Sequence, residues 1–186
     1  INDDFPYTAG ASLTLGTLDT TSNDSGFNWC NATTSFGSGD LGTPGSANDE
    51  CSSIQSIANT SVGDLVISEI HHAPLNSAYY KGEWFEIYNA SSSDINLNGM
   101  TVTDGSSESF TVDSDVLISA GGYVVFANRS SAADNGGISD VDFTYNRNGF
   151  KLNNVDTISL TYSSTTLDSV SYSINDDFPH SSGASL

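Results

Sequence analysis

The sequence predicts an all-β domain, built as an antiparallel sandwich or barrel. Short runs rich in β-branched and aromatic residues indicate strands, and clusters of Gly, Asn and Asp between them indicate turns. No segment carries a sustained apolar stripe at helical spacing. The predicted strands are Leu65–His71, Trp84–Asn89, Met100–Thr103, Ser109–Val112, Gly122–Asn128, Thr157–Tyr162 and Leu167–Tyr172. Short strands at such regular intervals are typical of sandwiches.

Alternation along one of these strands predicts a sheet with one buried face. Successive side chains of a strand point to opposite faces. In the run WFEIY, Phe85 and Ile87 therefore point one way, while Trp84, Glu86 and Tyr88 point the other. We expect the Phe and Ile side chains to lie in the core.

The first fifty residues differ from the rest of the chain. Only Ala11–Leu15 is predicted to form a strand there, and the residues that follow are mostly turn-forming. A Ser-rich stretch then separates this part from the predicted strands. The chain is expected to divide into a loop-rich segment (1–51), a linker (52–63) and a strand-rich body (64–186).

A repeated segment is the most informative feature of the sequence. Ile1–Leu13 (INDDFPYTAGASL) returns as Ile174–Leu186 (INDDFPHSSGASL), and ten of the thirteen positions are identical. The second copy lies 173 residues after the first. Self-similarity at a fixed period is typical of repeat proteins. We expect the chain to be one period of a tandem array, followed by the first thirteen residues of the next period.

Charge and composition exclude several classes of function. The 186 residues include 4 Lys and Arg against 23 Asp and Glu, which gives a formal net charge of -19. Nucleic-acid binding depends on clustered basic residues and is therefore not expected. No run of about 18 apolar residues is present, so membrane insertion is not expected either.

The two cysteines indicate an extracellular or cell-surface protein. Cys30 and Cys51 occur in a chain poor in Lys and rich in Ser, Thr and Asn, a composition that suits an oxidising compartment. A disulfide between them would close a loop of about twenty residues. In the chain-entropy treatment that is worth on the order of 3 kcal/mol.

The sequence carries no motif that predicts catalysis. A nucleophile elbow, a zinc-binding HExxH and a phosphate-binding glycine loop are all absent from it. Glu69, Glu83 and Glu86 are expected to lie on or near sheet faces, since nothing implies a pocket that would separate their pKa values. His71 and His72 would point to opposite faces of a strand, which makes them poor joint ligands of zinc.

Calcium is the one cofactor that the sequence leaves open. Carboxylates grouped in loops can supply the oxygen ligands that this cation prefers. The candidates are Asp113, Asp115, Asp140 and Asp142, and none of them follows EF-hand spacing.

Motifs along the whole chain carry a resemblance to one family. In the body they are GDLVISEI at Gly63–Ile70, GEWFEIYN at Gly82–Asn89, INLNGMTVTDG at Ile95–Gly105, LISAGGYVVFAN at Leu117–Asn128, GFKLNNVDTISLTY at Gly149–Tyr162 and LDSVSYS at Leu167–Ser173. At the front they are Phe5-Pro6, Gly10–Leu13, Asn28-Trp29, Gly42–Gly45 and Asn48. On these motifs, the chain resembles the lamin tail domain. The resemblance implies an immunoglobulin-like antiparallel β-sandwich of the kind found in secreted and surface proteins of bacteria and archaea.

The order of the motifs departs from that family and leaves two geometries open. In prokaryotic members the closing motifs follow the body, whereas here they precede it. In the first geometry the segment made of Ala11, Ser12, Leu13, Thr14 and Leu15 completes its own body, and Gly183–Leu186 is a displaced overhang. In the second, that segment completes the body of a neighbouring copy, a head-to-tail contact that generates a filament.

These observations together predict a non-enzymatic structural unit of an extracellular tandem-repeat protein. Its partners would be copies of itself, joined head to tail by shared strands into a filament, stalk or surface array. One alternative is an accessory module of a secreted hydrolase or nuclease, which the resemblance also allows. Another is a surface- or glycan-binding domain, with Tyr79, Tyr80 and Trp84 as its aromatic platform.

Overall fold

A computed structural model describes residues 5–24, 26–51, 54–75, 81–176, 178–179 and 181–186. The chain forms two compact units, Ile1–Ile54 and Gln55–Leu186. The all-β prediction is confirmed, because the described residues hold fifteen strands and only three short 3-10 turns. Within this part of the chain, no helix has the length and apolar character needed to cross a membrane.

The first unit holds two small antiparallel pairs of strands. They are β1 (Leu13–Leu15) with β2 (Trp29–Asn31), and β3 (Ser35–Phe36) with β4 (Asp40–Leu41). Gly37 and Gly39 both have positive φ in the turn between β3 and β4, a conformation that glycine adopts without strain. A parallel bridge between Ala11 and Leu41 connects the two pairs.

The second unit contains two four-stranded sheets and one smaller sheet. The first sheet has the order β10-β9-β14-β15, the second β13-β12-β7-β6, and the smaller one β11-β8-β5. The pairings along the long strands β6, β7, β14 and β15 are antiparallel, and the short β12–β13 pairing is parallel. The strands are β5 (Ile54–Ser56), β6 (Leu65–His71), β7 (Trp84–Asn89), β8 (Asp94–Asn96), β9 (Thr101–Thr103), β10 (Ser109–Thr111), β11 (Leu117–Ile118), β12 (Tyr123–Ala127), β13 (Phe143–Thr144), β14 (Val155–Tyr162) and β15 (Thr165–Ser173).

One apolar core joins the two large sheets into a sandwich. Phe85 and Ile87 of β7 are fully buried, as the alternation in that strand predicts. They belong to the same cluster as Ile158 and Leu160 of β14 in the other sheet. Neighbouring aromatic rings at one end of this core are those of Phe85, Phe110, Phe126, Phe143, Tyr145 and Phe150.

Part of the predicted linker lies in the body. Residues 54–59 form β5 and a 3-10 turn, and the Ser56 side chain caps that turn by accepting a hydrogen bond from the Ala58 N–H. Ile57 is 2% exposed and belongs to the core. A single buried Ile in a Ser-rich stretch gives no periodic signal, so the sequence pattern indicated a connector.

Candidate functional site

The outer edge of β6 is covered by the second copy of the repeated segment. The Ile70 N–H donates to the Leu186 carbonyl at 3.2 Å, and the Leu186 N–H donates to the Ile70 carbonyl at 2.8 Å. Such a reciprocal pair of bonds is the unit of an antiparallel ladder. Beyond the end of β6, the Gly183 N–H also donates to the Ala73 carbonyl at 2.8 Å. The geometry in which residues 183–186 are a displaced overhang is therefore wrong.

Side chains reinforce this pairing on both faces of the tail, Gly183–Leu186. Leu186 packs against the core cluster, and the Ser185 hydroxyl donates to the Glu69 carboxylate. The Ala184 N–H donates to the Ser181 carbonyl at 3.0 Å, which closes a turn at the start of the tail. Gly183 has a φ of 84° in that turn, a value that residues with a Cβ rarely adopt.

The remaining part of the β6 edge is closed by β15. The Asp168 carboxylate accepts a hydrogen bond from the Ile67 N–H at 2.8 Å, and the Leu167 carbonyl accepts one from Gly63 at 3.2 Å. A side chain thus takes the backbone donor that a further strand would need at Ile67. The part of this edge that can pair with an added strand therefore runs from Ser68 to Ala73, two residues past the end of β6.

The first copy of the repeat has the same local structure in the first unit. The Ala11 N–H donates to the Thr8 carbonyl at 3.1 Å, and Gly10 has a φ of 82°. These values match those of the turn at the start of the tail, where Ala184 and Gly183 hold the equivalent positions. Nearly identical sequences thus form the same turn in two different surroundings.

The β1 ladder directs the backbone of Leu13 away from β2. Ala32 donates to the Ser12 carbonyl at 2.9 Å, and Gly16 donates to the Asn28 carbonyl at 2.9 Å, so the even-numbered residues of β1 face β2. Because hydrogen-bonding direction alternates along an antiparallel strand, the Leu13 N–H and C=O point to the opposite edge. Leu186 holds the equivalent position in the second copy and uses the same two groups to bind Ile70.

The Cys30–Cys51 disulfide is present and lies within the first unit. The two Cα atoms are 5.6 Å apart, and the bond ties β2 to the end of the unit. Nearby, the Asp49 carboxylate accepts hydrogen bonds from the backbone N–H groups of Thr33 and Thr34 at 2.7 and 2.9 Å. These contacts hold a segment of little regular structure, which contains β1.

The glutamates considered as catalytic candidates serve structural roles. Glu86 accepts a hydrogen bond from the Ser68 hydroxyl at 2.7 Å, and Glu69 accepts the Ser185 hydroxyl. Glu83 lies at the end of β7 rather than on an exposed face and is 0% exposed. Burial raises the pKa of Glu83, and the hydrogen bonds and positive charge of Arg147 oppose that rise.

The Glu83–Arg147 ion pair is the feature that sequence reasoning missed. Arg147 Nε donates to both carboxylate oxygens at 3.2 and 3.1 Å, and Nη2 donates to Oε1 at 2.9 Å. The Tyr145 hydroxyl contacts the Glu83 carbonyl at 3.4 Å. The composition offered one signal: the chain has only four basic residues among 23 acidic ones, so each basic residue is expected to pair with a carboxylate.

The structure places the two histidines beside different aromatic rings. His71 lies 5.6 Å from the Trp84 ring, and burial lowers the pKa of its imidazole. His72 is buried and lies 5.6 Å from the Tyr172 ring. Trp84 is half-buried, and the two tyrosines proposed to share its platform, at positions 79 and 80, lie outside the described residues.

The calcium candidates take part in local hydrogen bonds. Asp115 Oδ1 accepts from the side-chain amides of Asn96 and Asn98 at 2.7 and 3.0 Å. Asp142 Oδ2 accepts from the Val125 N–H at 2.7 Å, and Asp140 accepts from a neighbouring serine at 2.8 Å. Among the described residues, no group of three or more His, Cys, Asp or Glu side chains is close enough to hold a metal ion. Asp113 is exposed and belongs to no such group.

Comparison with known proteins identifies the second unit. A family model described as Lamin Tail Domain matches residues 58–173, which is more than half of the chain. The match ends where β15 ends, immediately before the second copy of the repeated segment. No curated protein matches the chain. The antiparallel sandwich described above is the immunoglobulin-like fold of this structural domain family. The chain belongs to the lamin tail domain family.

Proposed function

We propose that the chain is a non-enzymatic structural unit of an extracellular tandem-repeat protein, with units joined head to tail by shared strands. One observation carries the proposal: the second copy of the repeated segment pairs with the edge of β6. A segment that returns after 173 residues and pairs with an edge strand is suited to connect successive units.

The sheet edge supplies the physical reason for such a connection. An uncovered edge strand presents unpaired N–H and C=O groups and readily pairs with another strand. In this chain Leu186 and Gly183 satisfy those groups at Ile70 and Ala73. In an array, the first residues of each period would cover the edge of the body that precedes them.

Composition and the disulfide support an extracellular array. The Cys30–Cys51 bond is of a kind that persists in oxidising environments. A net charge of -19 produces strong mutual repulsion, which keeps exposed surfaces soluble and opposes nonspecific association. Specific backbone pairing is then the contact that joins the units.

The proposal is tested with a chain of two periods, made of residues 1–173 followed directly by residues 1–186. Small-angle X-ray scattering should give a particle that is longer than the single period by a fixed increment. The upstream body should also resist urea better than the body in the single chain, because a complete closing segment follows it. A broad distribution of end-to-end distances, with no gain in stability, would contradict the proposal.

A further inference from the structure

We propose that the sheet edge from Ile70 to Ala73 is a docking site for a second copy of this chain, and that Gly10–Leu13 of that copy occupies it. The inference rests on the proposed function, because it names the partner of the shared-strand joint. The tail, Gly183–Leu186, is then the internal occupant of the same site. It holds the site until another copy displaces it.

The repeat fixes the register of the joint. Leu186 pairs with Ile70 and Gly183 pairs with Ala73, so the equivalent residues Leu13 and Gly10 of the second copy take those places. In an antiparallel register the next residue, Thr14, would lie opposite Glu69. The Leu15 carbonyl already accepts a hydrogen bond from the Asn48 side chain at 3.3 Å, so the joint uses Gly10–Leu13.

The backbone groups that the joint needs are directed outward in the first unit. The Leu13 N–H and C=O point away from β2, and the Leu13 side chain is 40% exposed. β1 can therefore keep β2 on one edge while it pairs with β6 of another copy on the other edge. The result is one continuous sheet across two copies, which is the addition of a strand to an exposed edge.

Side chains select the same segment. The Ser185 hydroxyl donates to Glu69, and the front segment carries Ser12 at the equivalent position. Leu186 packs against the core, and Leu13 supplies the same side chain. Every side chain from Gly183 to Leu186 has an identical counterpart at residues 10–13, so both segments present the same groups to β6.

Competition with the tail sets the conditions for association. A tethered segment has an effective concentration of about 1 mM. A separate copy displaces it only at a higher concentration or with a higher affinity for the edge. The repulsion between chains of charge -19 adds to this barrier and falls as salt screens it. The intact chain is therefore expected to stay mostly monomeric in dilute solution, and loss of the tail should expose the site.

The test weakens the tail in the full chain with Leu186→Asp. This substitution replaces an apolar contact with the core by a carboxylate. Sedimentation velocity in moderate salt should then show an average mass that rises about twofold or more above 19.5 kDa, over concentrations up to about 1 mM. Intact chain under the same conditions should show a smaller rise.

Two matched variants identify the docking segment. Leu13→Asp, added to Leu186→Asp, should abolish association because a charged side chain replaces the one that enters the core. Leu18→Asp, added instead, introduces the same charge in the same unit at a residue that is 78% exposed, and association should persist. Near-ultraviolet circular dichroism checks that each variant keeps its folded structure.

Three results would overturn the inference. The first is a Leu186→Asp chain that stays monomeric although hydrogen exchange shows that the Ile70 amide has lost its protection. The second is association that survives Leu13→Asp, since a different surface would then be responsible. The third applies if the Ile70 amide stays protected in Leu186→Asp: a chain that ends at Ser182 is then measured instead, and it too stays monomeric. Any of these leaves the two-period experiment unaffected, so the two proposals fail separately.

Discussion

Replacement of Arg147 by methionine tests the account of the buried ion pair. Arg147 makes three hydrogen-bond contacts to the Glu83 carboxylate, which is 0% exposed. Methionine keeps much of the side-chain volume and removes the charge. The carboxylate then keeps the hydrogen bonds from the Leu152 N–H and from Asn128 Nδ2, the latter at 3.3 Å, and loses the guanidinium charge. Leaving a buried charge without its partner costs about 3–5 kcal/mol in the free energy of unfolding.

The matched control is Lys81→Met, which removes a cation from an exposed pair. Lys81 Nζ lies 2.6 Å from Asp134, whose side chain is 46% exposed. Exposed pairs contribute about 0–1 kcal/mol. Urea unfolding followed by tryptophan fluorescence measures both variants at pH 7. A loss for Arg147→Met that is under about 1 kcal/mol, or equal to that of the control, would refute the assignment.

The same pair predicts a dependence of stability on pH. Burial raises the folded-state pKa of Glu83 above its usual 4.5, so the folded state holds the proton more tightly than the unfolded state. The contribution of this group to stability is then greatest below the unfolded pKa and falls as pH rises through the folded pKa. Arg147→Met removes the opposing influence and widens this window. Its deficit relative to Lys81→Met should therefore shrink as pH is lowered toward 4.5, and Glu83→Gln in the same chain should remove that trend.

Three further outcomes are expected. Replacing Cys30 and Cys51 by serine should destabilise the first unit by on the order of 3 kcal/mol while hydrogen exchange in the second unit stays unchanged; equal effects in both would contradict the assignment. Gly183→Ala should lower protection of the β6 amide that the tail covers by about tenfold, because a Cβ there would lie 2.4 Å from a leucine side chain and φ is positive; Gly10→Ala, with a similar φ and a nearest contact at 3.4 Å, should leave that amide unchanged. Asn89→Ala should cost about 2–3 kcal/mol in urea unfolding, because the buried side-chain amide of Asn89 donates to three backbone carbonyls, and a loss under about 1 kcal/mol would show that water replaces them.

Long strands could be predicted from the sequence because their patterns are local. The predicted Leu65–His71 and Trp84–Asn89 coincide with β6 and β7, and the predicted Thr157–Tyr162 lies within β14. Each has enough β-branched and aromatic residues to show a period of two. Alternation in β7 also identified Phe85 and Ile87 as core residues.

Short strands were predicted only in part: β1, β9 and β10 lie within predicted runs, whereas β8, β11 and β13 were missed because their partners define them. β11 has two residues and β8 has three, and neither is long enough to show a period. They are strands because Leu117 and Ile118 pair with Asn96 and Ile95. The parallel contact of β13 with β12 likewise depends on a neighbour that is distant in sequence.

Only one of the two partners at the candidate site could be predicted from the sequence. The repeat identified Ala11–Leu15 as a segment that could complete a sheet, yet it could not say which edge would receive it. That edge depends on the outward direction of the Ile70 N–H and C=O, and on Asp168, which lies far away in the chain. Only the folded sheets bring these groups together.

The hydrogen bond made by Asp168 affects how regularly the units would be spaced in any polymer of this chain. A strand added to a plain edge can slide by two residues and keep its faces, so the distance between units would vary. The Asp168 carboxylate occupies the Ile67 N–H, so an added strand meets a fixed stop at that end of β6. Each joint would then form in a single register. A polymer built this way would have a constant spacing along its axis, set by one side chain rather than by the length of the strands.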